Sequence, residues 1–418
     1  MSIKLGCIAD DFTGATDLAN NLVRAGMRTV QTIGIPGEPL RGAADAAVVA
    51  LKTRTLPAAE AVAQSLAALE WLRAQGAEQI YFKYCSTFDS TPAGNIGPVA
   101  DALMTRLDTD FTIATPAFPD NKRTVFKGYL FAGDVLLNES GMQHHPLTPM
   151  TDPNLVRVLS AQTTRRVGLI DHAVVARGSQ AIRARIQELK AQGVEIAIVD
   201  AVSNDDLLVL GPALAGMPLV TGGSGVAIGL PRNWGMTSAS AQAGQPRMPG
   251  MQAVVAGSCS AATNGQVAAF IESGRPALAL DPLRLAAGED VVAQALAWAD
   301  AHLGDGPVLI YSTAQPEQVR QAQGELGAAR AGAMIEDAIA RIATGLVERG
   351  VRQLIVAGGE TSGAVVQALG LEQIAIGEQI DPGVPWCRGH APAVHDDISI
   401  ALKSGNFGAR DFFLKAFD

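Results

Sequence analysis

Short apolar runs bounded by polar turns alternate along this chain with longer stretches of helical period. The runs Lys4–Ala9, Ala46–Leu51, Gln79–Lys83, Phe111–Thr115, Arg166–Asp171, Glu195–Asp200 and Leu219–Gly222 have the length and composition of buried strands. Ala58–Ala74 and Ser179–Ala191 predict helices between them. A further helix follows the first run, with Ala15, Leu18, Ala19, Leu22 and Val23 on one face and Gly26 as its stop. From Leu230 to Gly250 the periodicity disappears, and Pro231, Pro246 and Pro249 gather with Gly, Ser, Gln and Met as in a linker. The rhythm then restarts. Strands are predicted at Gln252–Ala256, Val308–Tyr311, Gln353–Ala357 and Ile398–Leu402, and helices around Ala261–Ser273, Asp290–Leu303, Ala331–Arg349 and Ser362–Leu369. Alternation of this kind builds βαβ units. The expected fold is α/β in two domains, each a mainly parallel sheet flanked by helices, with a cleft between them. The boundaries read from the pattern are 1–230, a linker at 231–250 and a smaller domain at 251–418.

Composition narrows the partners more than the fold. With 418 residues, 48% of them hydrophobic and 17% charged, the chain has material for two buried cores and no signature of disorder. A net charge of -9 argues against a nucleic-acid partner, which demands a basic surface. It leaves room for an anionic small molecule, which a few local Arg and Lys side chains can bind. Cys7, Cys85, Cys259 and Cys387 show neither CxxC nor zinc spacing, the usage of reduced thiols. No signal peptide precedes the first strand, and no apolar run reaches the roughly 20 residues of a membrane helix. A cytoplasmic protein is expected.

The densest chemistry stands at the end of the first strand, in Ile8-Ala9-Asp10-Asp11-Phe12-Thr13-Gly14-Ala15-Thr16-Asp17. Ligands of open α/β sheets gather beyond the carboxyl ends of strands, where Asp10 and Asp11 would project. One aspartate can cap the helix while the other is solvated. Adjacent like charges repel, however, which points to use rather than stability. Three more loops of this half set cations among hydroxyls after a strand: Lys52-Thr53-Arg54-Thr55, Lys83-Tyr84-Cys85-Ser86-Thr87-Phe88-Asp89-Ser90-Thr91 and Pro116-Ala117-Phe118-Pro119-Asp120-Asn121-Lys122-Arg123-Thr124. Charge-assisted bonds from such loops suit an anionic, hydroxyl-rich ligand, although most loops are polar.

The second half offers three glycine turns, each after a strand: Ala256-Gly257-Ser258-Cys259-Ser260, Ala357-Gly358-Gly359-Glu360-Thr361-Ser362-Gly363 and Lys403-Ser404-Gly405-Asn406-Phe407-Gly408. Backbone N–H groups at a helix start, beside small residues that let a ligand approach, suit phosphate. Three converging turns favour a nucleotide over a mere series of turns. No Gly-Lys pair occurs, which excludes a P-loop, and the protein-kinase motifs are absent. Gly223, Gly225 and Gly229 miss the dinucleotide spacing, so a dehydrogenase is disfavoured. His144-His145 and His395-Asp396-Asp397 miss zinc spacing; His395 is placed either near the phosphates or in a structural role.

On these residues the chain resembles the four-carbon acid sugar kinase family over essentially its full length. The resemblance rests on Ala9-Asp10-Asp11-Phe12-Thr13-Gly14-Ala15, on Pro146-Leu147-Thr148-Pro149-Met150-Thr151-Asp152-Pro153-Asn154 and on Thr221-Gly222-Gly223-Ser224-Gly225. The turn at Gly358 and the closing Leu402-Lys403-Ser404-Gly405-Asn406-Phe407-Gly408 complete it. It implies an N-terminal domain for the acid sugar, a C-terminal domain for ATP and phosphorylation of the C4 hydroxyl. The segment from Lys83 to Thr91 resembles members that act on a 3-oxo-tetronate. Threonate and erythronate members more often carry Lys-x-Asp-Ser-Thr-Leu-Arg-Gly, whose Asp and Arg are missing here.

The resemblance also implies ATP and Mg²⁺, with Ser258, Gly358, Gly359, Glu360, Thr361 and Gly405 around the nucleotide. Asp10 or Asp11 is expected to accept the C4 hydroxyl proton or orient that hydroxyl, the other carboxylate binding substrate or Mg²⁺. Arg54, Lys83, Ser86 and Arg123 are expected to hold the acid sugar, and no protein ligand of the metal is assigned. The expected partners are a small anionic acid sugar and ATP, without nucleic acid or membrane; a homodimer is compatible with the chain. The alternatives are a D-threonate or erythronate 4-kinase, and a non-catalytic sensor of sugar acid and nucleotide. A sensor has no need of the aspartate pair.

Overall fold

The computed structural model describes residues 2–88, 91–144, 148–237, 247–312 and 328–418. Asp89, Ser90, His145, Pro146, Leu147 and the centre of the linker lie outside the described residues. The chain divides into two compact units, Met1–Gln242 and Ala243–Asp418.

The first unit begins β1 (Leu5–Ala9), α1 (Phe12–Arg24), β2 (Thr29–Ile33), β3 (Ala46–Ala50), α2 (Ala58–Ala74), β4 (Gln79–Lys83), α3 (Ile96–Arg106) and β5 (Thr112–Thr115). A small antiparallel sheet follows, made of β6 (Arg123–Phe126), β7 (Tyr129–Ala132) and β8 (Val135–Leu136). The unit closes with β9 (Val167–Ile170), β10 (Ile196–Val199) and β11 (Leu219–Gly222) and the helices between them. Its main sheet is parallel throughout, in the order β2-β3-β1-β4-β11-β5-β10-β9. β1 and β3 read LGCIA and AAVVA and are buried at every position, the continuous apolar run of a strand covered on both faces. The order of strands reverses at β1, which has β3 on one side and β4 on the other. Such a switch point opens a crevice at the carboxyl ends, and β1 delivers Asp10 and Asp11 to it.

β2 escapes the periodicity for a physical reason. Thr29, Gln31 and Thr32 are buried there, and Gln31 accepts a hydrogen bond from the Thr16 hydroxyl of α1 at 3.0 Å. Thr29 and Thr32 donate to the carbonyls of Met27 and Gly34, so buried polar side chains replace the apolar run that marks a strand. The small sheet was also hidden, since Phe118–Thr124 reads as a polar loop. Its hairpin turns at Lys127 (φ 55°) and Gly128 (φ 75°) without the Asn-Gly or Asp-Gly usual for two left-handed residues.

In the second unit β12 (Met251–Ala256) leads through α8 (Ala261–Glu272) to β13 (Ala277–Ala279), then β14 (Val308–Tyr311) and β15 (Val351–Ala357). β16 (Gln373–Asp381), β17 (Val384–Ala391) and β18 (Asp396–Lys403) complete it. Within the unit the order is β13-β14-β12-β15-β18-β17-β16. The strands from β13 to β18 in that order are parallel, and β17 pairs antiparallel with both β18 and β16. The parallel expectation therefore holds for the strands that carry the glycine turns, and β16 and β17 add antiparallel pairing. Phe270, Ile355, Trp386, Phe412 and Phe413 pack in the core behind these strands. His395 lies at the amino end of β18 and is exposed, so it is remote from the glycine turn that follows Lys403. No helix among the described residues is long and apolar enough to cross a membrane.

Candidate functional site

Asp10 and Asp11 are joined by Arg54 and Lys83 in one ion cluster. Asp10 is 4% exposed and takes a bidentate pair from Arg54, Nε to Oδ2 at 2.9 Å and Nη2 to Oδ1 at 2.8 Å. Arg54 Nη2 also donates to Asp11 Oδ1 at 2.5 Å, and Lys83 Nζ donates to the same oxygen at 3.2 Å. Lys83 Nζ lies 3.7 Å from Asp10. Two acids and two bases leave the cluster neutral. Asp11 is also the N-cap of α1, accepting from Gly14 N at 3.2 Å and from the Thr13 hydroxyl at 2.9 Å. A Cβ on Gly14 would overlap Lys83 Nζ, so glycine lets the ammonium pass beneath the helix start. Asn95 fixes the Arg54 turn, its amide donating to the carbonyls of Thr53 at 2.6 Å and Arg54 at 3.1 Å.

The two carboxyls titrate in opposite directions. Burial pushes Asp10 above the ordinary carboxylate value, although Arg54 and Lys83 oppose it. Burial works against charge on Asp11 too, yet Lys83, Arg54 and the Thr13 hydroxyl outweigh it and hold that carboxyl well below the usual range. Burial disfavours the Lys83 ammonium, and Asp11 and Asp10 more than restore it. Asp11 is thus ionised in the resting site, with 24% of its side chain exposed against 6% for Asp10. It can orient a hydroxyl while the rest of the cluster stays fixed.

Arg54 and Lys83 are committed to the aspartates, whereas Arg123 pairs with no carboxylate among the described residues. Its Nη1 donates to the carbonyl of Asn121 at 3.1 Å, its Nε is buried without a partner, and burial lowers its pKa. Cys85, in the loop after β4, is half-buried. Ser86 is half-buried in the turn beside it. Phe88 does not line the site: it is fully buried, edge-on to Tyr84 with ring centroids 5.2 Å apart. Asp17 escapes sequence reasoning because it sits among the apolar residues of α1. It is buried, bonded to the Ser224 hydroxyl, and pushed by burial up to about 6. The buried Thr16, Asn20 and Asn21 beside it, polar residues on an otherwise apolar helix, were the available signal.

In the second unit the three glycine turns converge on one sheet edge, after the adjacent strands β12, β15 and β18. Gly257 N and Ser258 N donate to the carbonyl of Ala357 at 3.0 and 3.2 Å, and Gly358 N donates to that of Lys403 at 2.8 Å. Ser260 caps α8, and its hydroxyl and that of Thr263 donate to the carbonyl of Gly405 at 2.5 and 2.9 Å. The helix Gly359–Ala368 starts three residues earlier than its periodicity suggests, so Gly359, Glu360 and Thr361 form its first turn. Gly359 and Glu360 are exposed. Thr361 is buried, and a Cβ on Gly257 would overlap its hydroxyl. Amides of a helix start beside two further glycine turns have the chemistry that suits an anion. No group of three or more metal-ligating side chains occurs among the described residues.

Residues 5–230 match a family of sugar-binding N-terminal domains, and residues 253–413 match a family of nucleotide-binding C-terminal domains. A 3-oxo-tetronate kinase of Cupriavidus necator is 60% identical over 99% of this chain and 96% of its own length. One of Burkholderia multivorans is 61% identical over the same shares. Crystal structures of similar proteins cover both units. A Salmonella typhimurium LT2 protein matches with a TM-score of 0.91 at 47% identity, over 99% of this chain and 98% of its own. A Haemophilus influenzae protein of the DUF1537 family matches with a TM-score of 0.85 at 46% identity, over 99% of each chain.

Proposed function

This chain belongs to the four-carbon acid sugar kinase family, and we propose on that premise that it transfers the γ-phosphoryl group of ATP to the C4 hydroxyl of a 3-oxo-tetronate. The observation that carries the reading is the convergence of three glycine turns within the stretch that matches a nucleotide-binding domain. The carboxylate cluster lies in the stretch that matches a sugar-binding domain. Phosphoryl transfer asks for orientation and charge neutralisation more than for covalent help. Asp11 orients the C4 hydroxyl and receives its proton as the O–P bond forms. Asp10 locks Arg54, and Arg123 with Ser86 receives the substrate carboxylate. Ser258, the amides of Gly358 to Thr361, and Gly405 surround the ATP phosphates. Mg²⁺ commonly uses one or two carboxylates together with substrate phosphates, and the exposed Glu360 fits that need. When bound, the ion neutralises charge on the transferring phosphate.

Substrate choice follows from the missing Asp and Arg in the loop after β4. Phe88 adds no surface to the site, so the difference from threonate and erythronate members is a lost cation. A charge-assisted bond is worth roughly 1.5–3 kcal/mol, about tenfold or more in discrimination. ATP-dependent turnover should therefore give a kcat/KM at least about tenfold higher with 3-oxo-tetronate than with threonate or erythronate. Equal efficiency on the saturated acids would remove the 3-oxo assignment, and no turnover with any of them would favour a sensor. Arg123→Gln should raise the KM for the acid sugar by about tenfold or more and leave that for ATP unchanged. An unaltered acid-sugar KM would move the carboxylate away from Arg123.

A further inference from the structure

We infer that Lys403 is the positioning residue of the nucleotide site, holding the 404–408 turn so that its amides face the phosphates. This rests on the reading of the three turns as a phosphate site. Lys403 ends β18, is fully buried, and pairs with no carboxylate among the described residues. Its Nζ donates to the carbonyls of Ser404 at 3.0 Å, Gly405 at 3.0 Å and Phe407 at 3.1 Å, and to the Thr263 hydroxyl at 2.9 Å. Thr263 passes the contact on to the carbonyl of Gly405. Meanwhile the carbonyl of Lys403 receives Gly358 N, so this one residue ties the second and third turns together and reaches the first through α8.

Peptide geometry gives the consequence. In a planar trans peptide the C=O and the N–H point in opposite directions. Carbonyls 404, 405 and 407 are turned in toward the ammonium, which turns the N–H groups of Gly405, Asn406 and Gly408 away from it. Those three groups donate to no acceptor among the described residues. Successive outward amides make an anion-binding concavity. An ammonium buried without an anion is also unusual, and burial pushes this one down to about 7. A polyphosphate above the turn supplies its counter-charge. Gln266, whose side-chain amide donates to the carbonyls of Phe407, Gly408 and Ala409, gives the turn a second anchor, so removing the ammonium need not unravel it.

The test compares Mg-ADP with adenosine, which lacks phosphates, by calorimetry on the full chain and its Lys403→Met variant. The affinity ratio of ADP to adenosine should fall by about tenfold or more in the variant, with adenosine binding and the acid-sugar KM nearly constant. A merely structural role would weaken adenosine and ADP together, and an unchanged ratio overturns the inference. Wild-type protein that binds neither ligand would refute the nucleotide site itself, a separate failure. Should Lys403→Met not fold, Thr263→Val removes the hydroxyl between Nζ and Gly405 and must lower the same ratio. No change there also overturns it.

Discussion

Asp11→Asn is expected to lower kcat by on the order of 10²-fold or more while the KM for ATP stays near wild type. Asn serves as well as Asp at an N-cap, so the bond from Gly14 N and the start of α1 should persist. What the amide cannot do is accept the hydroxyl proton, and loss of a proton acceptor typically costs 10²-fold to 10⁴-fold, on the order of the effect expected. Lys83 would keep Asp10 as a partner at 3.7 Å, so its charge is not stranded. Asp10→Asn tests a different role. It removes a bidentate, buried partner of Arg54, and breaking such a pair costs about 3–5 kcal/mol, so its main effect should be a lower Tm. Steady-state kinetics with melting curves on both variants separates the two. Near-normal turnover in both would sink the assignment of the pair to the reaction.

The part of this site that was legible in the sequence is the part made of backbone. A strand that ends in Gly-Gly-Glu or Ser-Gly-Asn announces both its end and its turn, and the three turns then meet because β12, β15 and β18 are neighbours. Side-chain pairing was not legible. Arg54 and Lys83 read as two more cations for the substrate, yet 43 and 72 residues separate them from Asp11, and only the folded sheet shows that they serve the aspartates first. Lys403 stands in the sequence as the first residue of the third glycine turn, but its part in holding that turn shows only in the fold, where the strand end is covered and the ammonium is turned inward. β16 and β17 were missed for another reason. Glu378, Gln379, Arg388 and His390 interrupt their apolar pattern, at positions that are not fully buried in these antiparallel strands.

Gly405→Val should raise the KM for ATP by on the order of 10²-fold and change that for the acid sugar by less than about threefold. The argument is one of space rather than of backbone torsion. A Cβ at Gly405 would stand 2.5 Å from the Ser258 hydroxyl and 3.2 Å from both Cβ and Oγ of Ser260. The valine must therefore push back the first glycine turn and disturb the hydroxyls of Ser260 and Thr263 that hold its own carbonyl. It also places two methyl groups where backbone amides would approach phosphate. Gly358→Val is the less clean experiment, since φ is 132° there and a Cβ would lie 2.7 Å from the Thr361 hydroxyl, so strain adds to bulk. Overpacking costs about 1–3 kcal/mol of stability, which a Tm measured alongside the kinetics will register. A stability loss alone lowers the amount of active enzyme and leaves both KM values in place. A selective rise for ATP can come only from the site. If the acid-sugar KM rises instead, the allocation of nucleotide to the second unit is wrong, and the glycine turns serve the other substrate.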